Sequence, residues 1–428
     1  MSGRLPFFAA GQCIRHTPCA VASGTRSVPD TLPWLRCALI ASLVLLAWLP
    51  LGSAYEKAPS PAEIGPKPKP APKADPKEID ASIDRGVAFL LKRQNANGSW
   101  GSERSIRPSE VYAPVPGAHE SFRGAVTSLC ISALLEVGGG NAEIEHSVDR
   151  AEAWLMEHLP AIRRNSADAL YNNWCHAYSI DALLHMLRRH SGDQDRCRKI
   201  RALIELQIAM LVRYECIDGG WCYYDDFSYP TARPSGSTIS FVTATVLVVL
   251  DDARKAGIKV PQKIVDRGMA SLLRQRKRDF SYDYGEYLKY HPMLPINRPG
   301  GSLGRSQACN LAMRAWGDKQ VTDTVVETWL DRLFARELWL DLGRKRPIPH
   351  ESWFQVAGYF FYYGHYYAGR CIEILPSVER PPRQDQLAQV LLRLQEPDGS
   401  WWDFPLYDYH QQYGTAFALM SLARCKHK

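Results

Sequence analysis

From Ile79 onward the chain alternates two kinds of helical text. In the first kind the apolar residues form one stripe. Leu387, Val390, Leu391 and Leu394 fall at i, i+3, i+4 and i+7, and Ile83, Val87, Leu90 and Leu91 share a face in the same way. The second kind is apolar on every side and rich in small residues, as in 124–135, 238–250 and 413–422. A striped helix covers a core and a uniformly apolar helix lies inside one. The text therefore predicts outer and inner helices in alternation.

A short motif punctuates the alternation. Gln94-Asn-Ala-Asn-Gly98-Ser-Trp100 and Gln395-Glu-Pro-Asp-Gly399-Ser-Trp401 share the pattern Gln-x-x-x-Gly-x-Trp. Glu215-Cys-Ile-Asp-Gly219-Gly-Trp221 differs only in its first residue, and Gln275 opens a decayed copy that runs to Tyr282. The glycine suits the left-handed backbone that ends a helix, and the tryptophan is placed to pack across that end. The four openings, at 94, 215, 275 and 395, fit a step of about 60 residues, the mark of stacked supersecondary units. Two copies are missing, near 155 and 335, where 151–159 and 326–338 still read as helix. Six units predict an all-α protein, an (α/α)6 toroid of six outer and six inner helices. Its central cavity should open among the inner-helix starts and the loops before them.

The motif resembles the repeat of squalene-hopene and oxidosqualene cyclases, whose relatives include the protein prenyltransferase β subunits. The resemblance covers about 79–428. It implies a toroid that takes an elongated or cyclic ligand at its centre. Hopene-type cyclases protonate their substrate with an Asp-x-Asp-Asp run, and this sequence has none. The prenyltransferases carry Gly-Gly-x-x-Gly-Arg, then Lys, Asp and Cys, and later a Tyr-His pair. Gly300-Gly301-Ser-Leu-Gly304-Arg305 and Tyr409-His410 match the first and last parts, but Ala308, Leu311 and Met313 occupy the other three positions. One zinc ligand of three remains, so neither a metal site nor a cofactor is expected.

The amino end reads differently. Arg36 precedes an apolar run over 37–51, and Gly52-Ser53-Ala54 supplies the small residues a signal peptidase cuts after. Segment 1–54 is thus expected to direct export to the periplasm or cell envelope, or else to remain as a short membrane anchor. Segment 55–78, rich in Pro, Lys and Ala, is expected to be an extended spacer with few contacts, and 79–428 to form the toroid. The formal charge of the 428-residue chain is +7. Without the leader's four Arg and one Asp, 48 basic residues face 44 acidic ones, too even a balance for a nucleic-acid partner. Eight of the 11 Cys lie beyond the leader without framework spacing; Cys216 and Cys222 are the nearest pair.

Candidate chemistry gathers in the loops before the inner helices. Asp225 and Asp226 follow Trp221 among tyrosines, either capping a turn or standing as acids at the cavity mouth. Arg298 and Arg305 flank the glycine-rich turn, where they suit a diphosphate or carboxylate ligand or hold carboxylates of the fold. His350 and Glu351, with Trp353, precede the aromatic run 359–367 and offer acid and base. His176 ends the run Tyr171-Asn-Asn-Trp174-Cys-His176, and Asp403, Tyr409 and His410 precede or open the last inner helix. Aromatic faces here can hold a carbocation, stack on sugar or simply pack. The expected catalytic set is Asp225, Asp226, His350, Glu351 and His410. The expected ligand-binding set is Arg298, Arg305, Trp353, Tyr409, His176 and Asp403, with both sets converging on one opening. The leading function is a binding or scaffold toroid. The alternatives are a terpenoid cyclase or prenyl-transfer enzyme with a replaced site, and an exported glycan enzyme of the polysaccharide-lyase kind. The ligand is accordingly an isoprenoid, a glycan or a polypeptide.

Overall fold

A computed structural model describes residues 60–102, 118–164, 169–225, 233–234, 237–351, 355–405, 408 and 410–426. The expected leader, 1–54, lies outside them. Six outer helices are present: α1 (Pro76–Arg93), α3 (Ala142–His158), α5 (Gln194–Arg213), α7 (Gln262–Gln275), α9 (Asp323–Ala335) and α12 (Arg380–Arg393). Each precedes an inner helix, in order α2 (Ala118–Val137), α4 (Asn172–Arg189), α6 (Ser240–Lys255), α8 (Leu303–Ala315), α11 (Phe360–Glu373) and α13 (His410–Cys425). A one-turn helix, α10 (Glu337–Asp341), follows α9. The described residues contain isolated bridges but no strand.

The inner helices close a ring, because α2 packs on α4, α4 on α6, α6 on α8, α8 on α11, α11 on α13 and α13 back on α2. The burial pattern follows the text. In α7 the buried positions Ile264, Val265, Gly268, Ser271 and Leu272 form one stripe, whereas α6 is buried continuously from Ser240 to Asp251. Positions 155 and 335 both fall on outer helices, α3 and α9, as the period requires. The fold is therefore an all-α (α/α)6 toroid.

The repeated motif holds the ring together in the same way at each good copy. The indole nitrogens of Trp100, Trp221 and Trp401 donate to the carbonyls of Leu90, Leu211 and Leu391, each at 2.8 Å, and so cap their own outer helix. Their backbone amides donate to Thr127, Thr243 and Thr415 on the following inner helix. The first residue of the motif reaches the next outer helix. Gln94 binds Ser147 of α3, Glu215 pairs with Arg267 of α7 at 2.6 Å, and Gln395 binds Ser82 of α1, which closes the outer ring. In the decayed copy the hydrogen bonds shift the register by one residue. Lys277 donates to the Ser281 carbonyl as Asn95 does to that of Ser99, so Arg276, not Gln275, takes the first position.

The Pro-rich segment differs from its expected form. Residues 64–75 hold no helix or strand, as repeated proline favours, but they are strapped to the ring rather than held apart. Lys67 pairs with Asp331 of α9 at 2.6 Å, and Arg332 donates to the carbonyls of Pro61 and Ile64. The Ala74 amide donates to Asp385 of α12 at 3.0 Å, and Ala62 and Ala74 are buried. Proline removes backbone donors but leaves carbonyls, and outer-helix side chains take those up. The toroid's first helix also begins earlier than Ile79, at Pro76, with Asp75 as its N-cap accepting from the Lys77 amide at 3.0 Å.

Candidate functional site

At the N-terminal end of the inner helices the ring holds a cavity of about 310 Å³. Its walls come from the first turns of α2, α4, α6, α11 and α13 and from the loops before them. Fourteen of the nineteen lining side chains are Phe, Tyr or Trp. The spacing of the helical text explains this. Tyr171, Trp174 and Tyr178 stand one helical face apart at the start of α4, as do Tyr359, Phe360 and Tyr363 on α11 and Tyr413 and Phe417 on α13. Phe241 of α6 sits among them, 4.8 Å from Phe360, 5.5 Å from Tyr284 and 5.8 Å from Trp174, centroid to centroid.

The phenol groups are tied to one another. Tyr223 and Tyr284 share a hydroxyl contact, the Tyr284 and Tyr359 hydroxyls lie 3.2 Å apart, and the Tyr359 hydroxyl meets His350 Nε2 at 2.7 Å. His350 is therefore the polar end of a line of hydroxyls along the wall. Its backbone has φ +56°, a left-handed conformation uncommon for histidine, which turns the ring edge-on to Tyr284 at 5.1 Å. On the other side Tyr413 donates to Asp403 at 2.6 Å.

Burial lowers the His350 imidazole to about 4, with Arg305 adding in the same direction, so the ring stays neutral in the folded protein. An unfolded imidazole takes its proton near 6.5. As the pH falls from about 6.5 to about 4 the unfolded chain binds the proton first, and the folded state loses stability. His176 and His365, also lowered to about 4 by burial, act in the same sense. Asp403, pushed up to about 7 by burial, acts in the opposite one: its folded carboxyl keeps a proton that the unfolded one releases, and its contribution is lost as the pH rises toward 7. His350→Asn, which tolerates the left-handed backbone, should make the urea midpoint less sensitive to acid between pH 6.5 and 4. An unchanged pH profile would contradict a buried, neutral His350.

Most of the charged groups singled out in the sequence do not reach this cavity. Asp225 is held by Arg164 at 2.7 Å with its side chain buried behind the wall. Glu351 pairs with Arg346 at 3.2 Å, outside it. Arg298 is exposed and donates to the Met293 carbonyl. His410 packs edge-on against Trp402 at 5.1 Å and His176 lies buried between α4 and α5, bonded to Gln207 at 2.6 Å. Arg305 is fully buried and donates to the carbonyls of Tyr282, Gly301 and Ile296. Asp403 stands one layer behind the wall, also accepting from the Tyr362 amide at 2.9 Å. Of the expected set among the described residues, only His350 lines the cavity. Asp226, Trp353 and Tyr409 lie outside the described residues. Burying a charge without a partner costs several kcal/mol, so the loop charges find their partners within the loops rather than at the opening.

A second cavity, of about 620 Å³, opens among the last turns of the inner helices, at the other end of the ring. It is charged but largely self-neutralised. Arg424 meets both oxygens of Glu136 at 2.7 Å and Arg370 both oxygens of Asp252 at 3.0 Å. Cations there also offset the negative helix ends. Tyr366 stands between the two cavities, 5.1 Å from Phe417 and bonded to Arg370 at 3.3 Å.

No protein-family model matches the chain, and no curated protein matches it in sequence. Among solved structures it is similar to the type II terpene cyclase MstE from Scytonema, in a variant bound to geranylgeranyl dihydroxybenzoate. That likeness has 13% identity, 82% of this chain and 97% of that chain covered, and a TM-score of 0.46. It is similar also to a protein from Actinoplanes, with 15% identity, 81% and 99% covered and a TM-score of 0.47. A smaller likeness, to Salmonella alpha-2-macroglobulin reacted with methylamine, has 14% identity, 63% and 17% covered and a TM-score of 0.33. The toroid itself rests on the order of the helices and the closed set of inner-helix contacts.

Proposed function

We propose that the ring binds one compact apolar ligand of isoprenoid type in its aromatic cavity, as a binding or scaffold protein exported under the direction of 1–54. The observation that carries this reading is the lining: fourteen aromatic side chains, a neutral imidazole and no carboxylate among the described residues. The volume, about 310 Å³, stands at the small end of the roughly 300–1,000 Å³ usual for ligand pockets, which favours a short chain or a single ring system.

Two rivals fit less well. Starting a cyclisation by protonating an olefin takes a very strong acid. The carboxyl closest to the wall through a hydrogen bond, Asp403, is pushed to about 7 and is a weak one. A glycan lyase removes the proton beside a uronate carboxyl and needs a cation or amide group to hold that carboxylate, and the described lining has no Arg, Lys, Asn or Gln, only phenols bonded mainly to one another and one neutral imidazole. A replaced acid-base site keeps one favourable observation, the hydroxyl line from Tyr223 to His350, along which a proton could pass.

Trp174 in the wall reports on occupancy. Titration with farnesol, a short prenyl alcohol, is expected to change tryptophan emission saturably, with no such change on titration with a sugar oligomer. Saturation by the sugar and not by farnesol would reverse the assignment.

A further inference from the structure

We propose that Cys216 and Cys222 form a disulfide that clasps the neck of the third repeat's turn, and that the three other described copies of this turn carry non-covalent clasps at the same two positions. The Sγ atoms lie 3.2 Å apart and both residues are fully buried. The turn between them is tight. The Cys216 amide donates to the Gly220 carbonyl and the Gly219 amide to the Cys216 carbonyl, both at 2.9 Å.

The hydrogen-bond register fixes the equivalent pairs. Asn95, Lys277 and Glu396 make the same amide contacts as Cys216, to the carbonyls of Ser99, Ser281 and Ser400, which places Gly101, Asp283 and Trp402 opposite them. Each neck is linked across. Asn95 Nδ2 donates to the Gly101 carbonyl at 2.8 Å. Lys277 and Asp283 form an ion pair at 3.1 Å. Lys345 bridges the last neck, 2.6 Å from Glu396 and 4.5 Å from the Trp402 ring centre. The chemistry of the link changes from copy to copy while its place is kept. In the second copy that place holds two thiols, whose only strong link is covalent. Weak S–H contacts would make it the one described neck without a firm clasp.

The surroundings keep the sulfurs together. Trp221 is anchored to α5 and α6, Asn173 donates to the Cys222 carbonyl at 2.7 Å, and Arg267 donates to the Cys216 carbonyl at 3.2 Å. Tyr223 follows Cys222 directly and lines the aromatic cavity, so the clasp also fixes one wall of that site. In the reaction the two thiols give up two protons and two electrons, and an S–S bond forms. A disulfide-exchange carrier takes the electrons and becomes a dithiol. The bond would be made before Trp221 seats, since both sulfurs are covered afterwards.

The test refolds the full chain from denaturant with glutathione disulfide as oxidant, followed by alkylation in denaturant and mass measurement of tryptic peptides. Trypsin frees a segment starting at Tyr214 that holds these two cysteines and no other before Arg254. The expected result is two alkyl groups fewer on that segment, with every other cysteine alkylated. Refolding with dithiothreitol in place of the oxidant should restore both groups and leave the melting temperature lower by about 3 °C, a shift absent from the Cys216→Ser, Cys222→Ser double variant. Full alkylation after oxidation, or glutathione attached to one of the two, would overturn the proposal. A melting temperature that ignores dithiothreitol while the bond is present would overturn its role as a clasp.

Discussion

Arg305→Met should lower the stability of the ring by about 3–5 kcal/mol while the folded protein keeps its affinity for an apolar ligand. Arg305 has no exposed surface, and its guanidinium serves three backbone carbonyls, those of Tyr282, Gly301 and Ile296. A methionine of similar length would take this donor from all three. Burial already draws this guanidinium down to about 10, the mark of a charge kept from solvent rather than one offered to a ligand. Denaturant melts give the stability, and a farnesol titration below the transition gives the affinity. A ligand affinity that collapses while stability holds would return Arg305 to the binding site.

The second large effect is expected at the seam between the last outer helix and the first. Gly399 has φ +88°, and a Cβ there would lie 2.4 Å from the Arg85 carbonyl oxygen of α1. Gly140 offers a control, with φ +85° and nothing within 4 Å of its added carbon. Gly140→Ala should cost about 1–2 kcal/mol, the left-handed backbone strain alone. Gly399→Ala should cost about 1–3 kcal/mol more, because α1 must move or the turn must open. Urea unfolding of both variants measures the difference. Equal losses would mean that α12 and α1 do not meet as closely as the ring requires.

These two positions also show what the sequence makes legible. Gly399 and Trp401 are readable because their jobs need one residue type each: a left-handed turn against a helix backbone, and an indole long enough to cap a buried helix end. Such demands repeat with the unit, so the period and the ring follow from a few positions. Arg305 shows the opposite case. A charge in apolar text is conspicuous, and the sequence cannot distinguish a guanidinium facing a ligand from one tying backbone carbonyls together. Asp225 and Glu351 mislead in the same way, since Arg164 and Arg346 lie in other parts of the loops. The cavity wall was legible in part, since the runs at 171–176 and 359–367 stand out as aromatic faces at inner-helix starts and both line it. Packing and ligand binding ask for the same residues there, Phe241 reads as plain core, and only the closed ring brings Trp174, Phe241 and Tyr363 around a shared space. The usable signal was their place in the first two turns of successive inner helices.

The most direct measurement is calorimetric titration of farnesol into the protein and into Val126→Trp. Val126 lines the cavity from α2 and is no member of the hydroxyl line of Tyr223, Tyr284 and Tyr359. Its replacement by an indole fills part of the 310 Å³ without adding charge. The account predicts saturable binding to the unaltered ring with a negative heat-capacity change, the sign of apolar surface leaving water, and at least about tenfold weaker binding to the filled ring. Equal affinity in a Val126→Trp protein that remains folded would contradict it, since the ligand would then bind somewhere other than the aromatic centre.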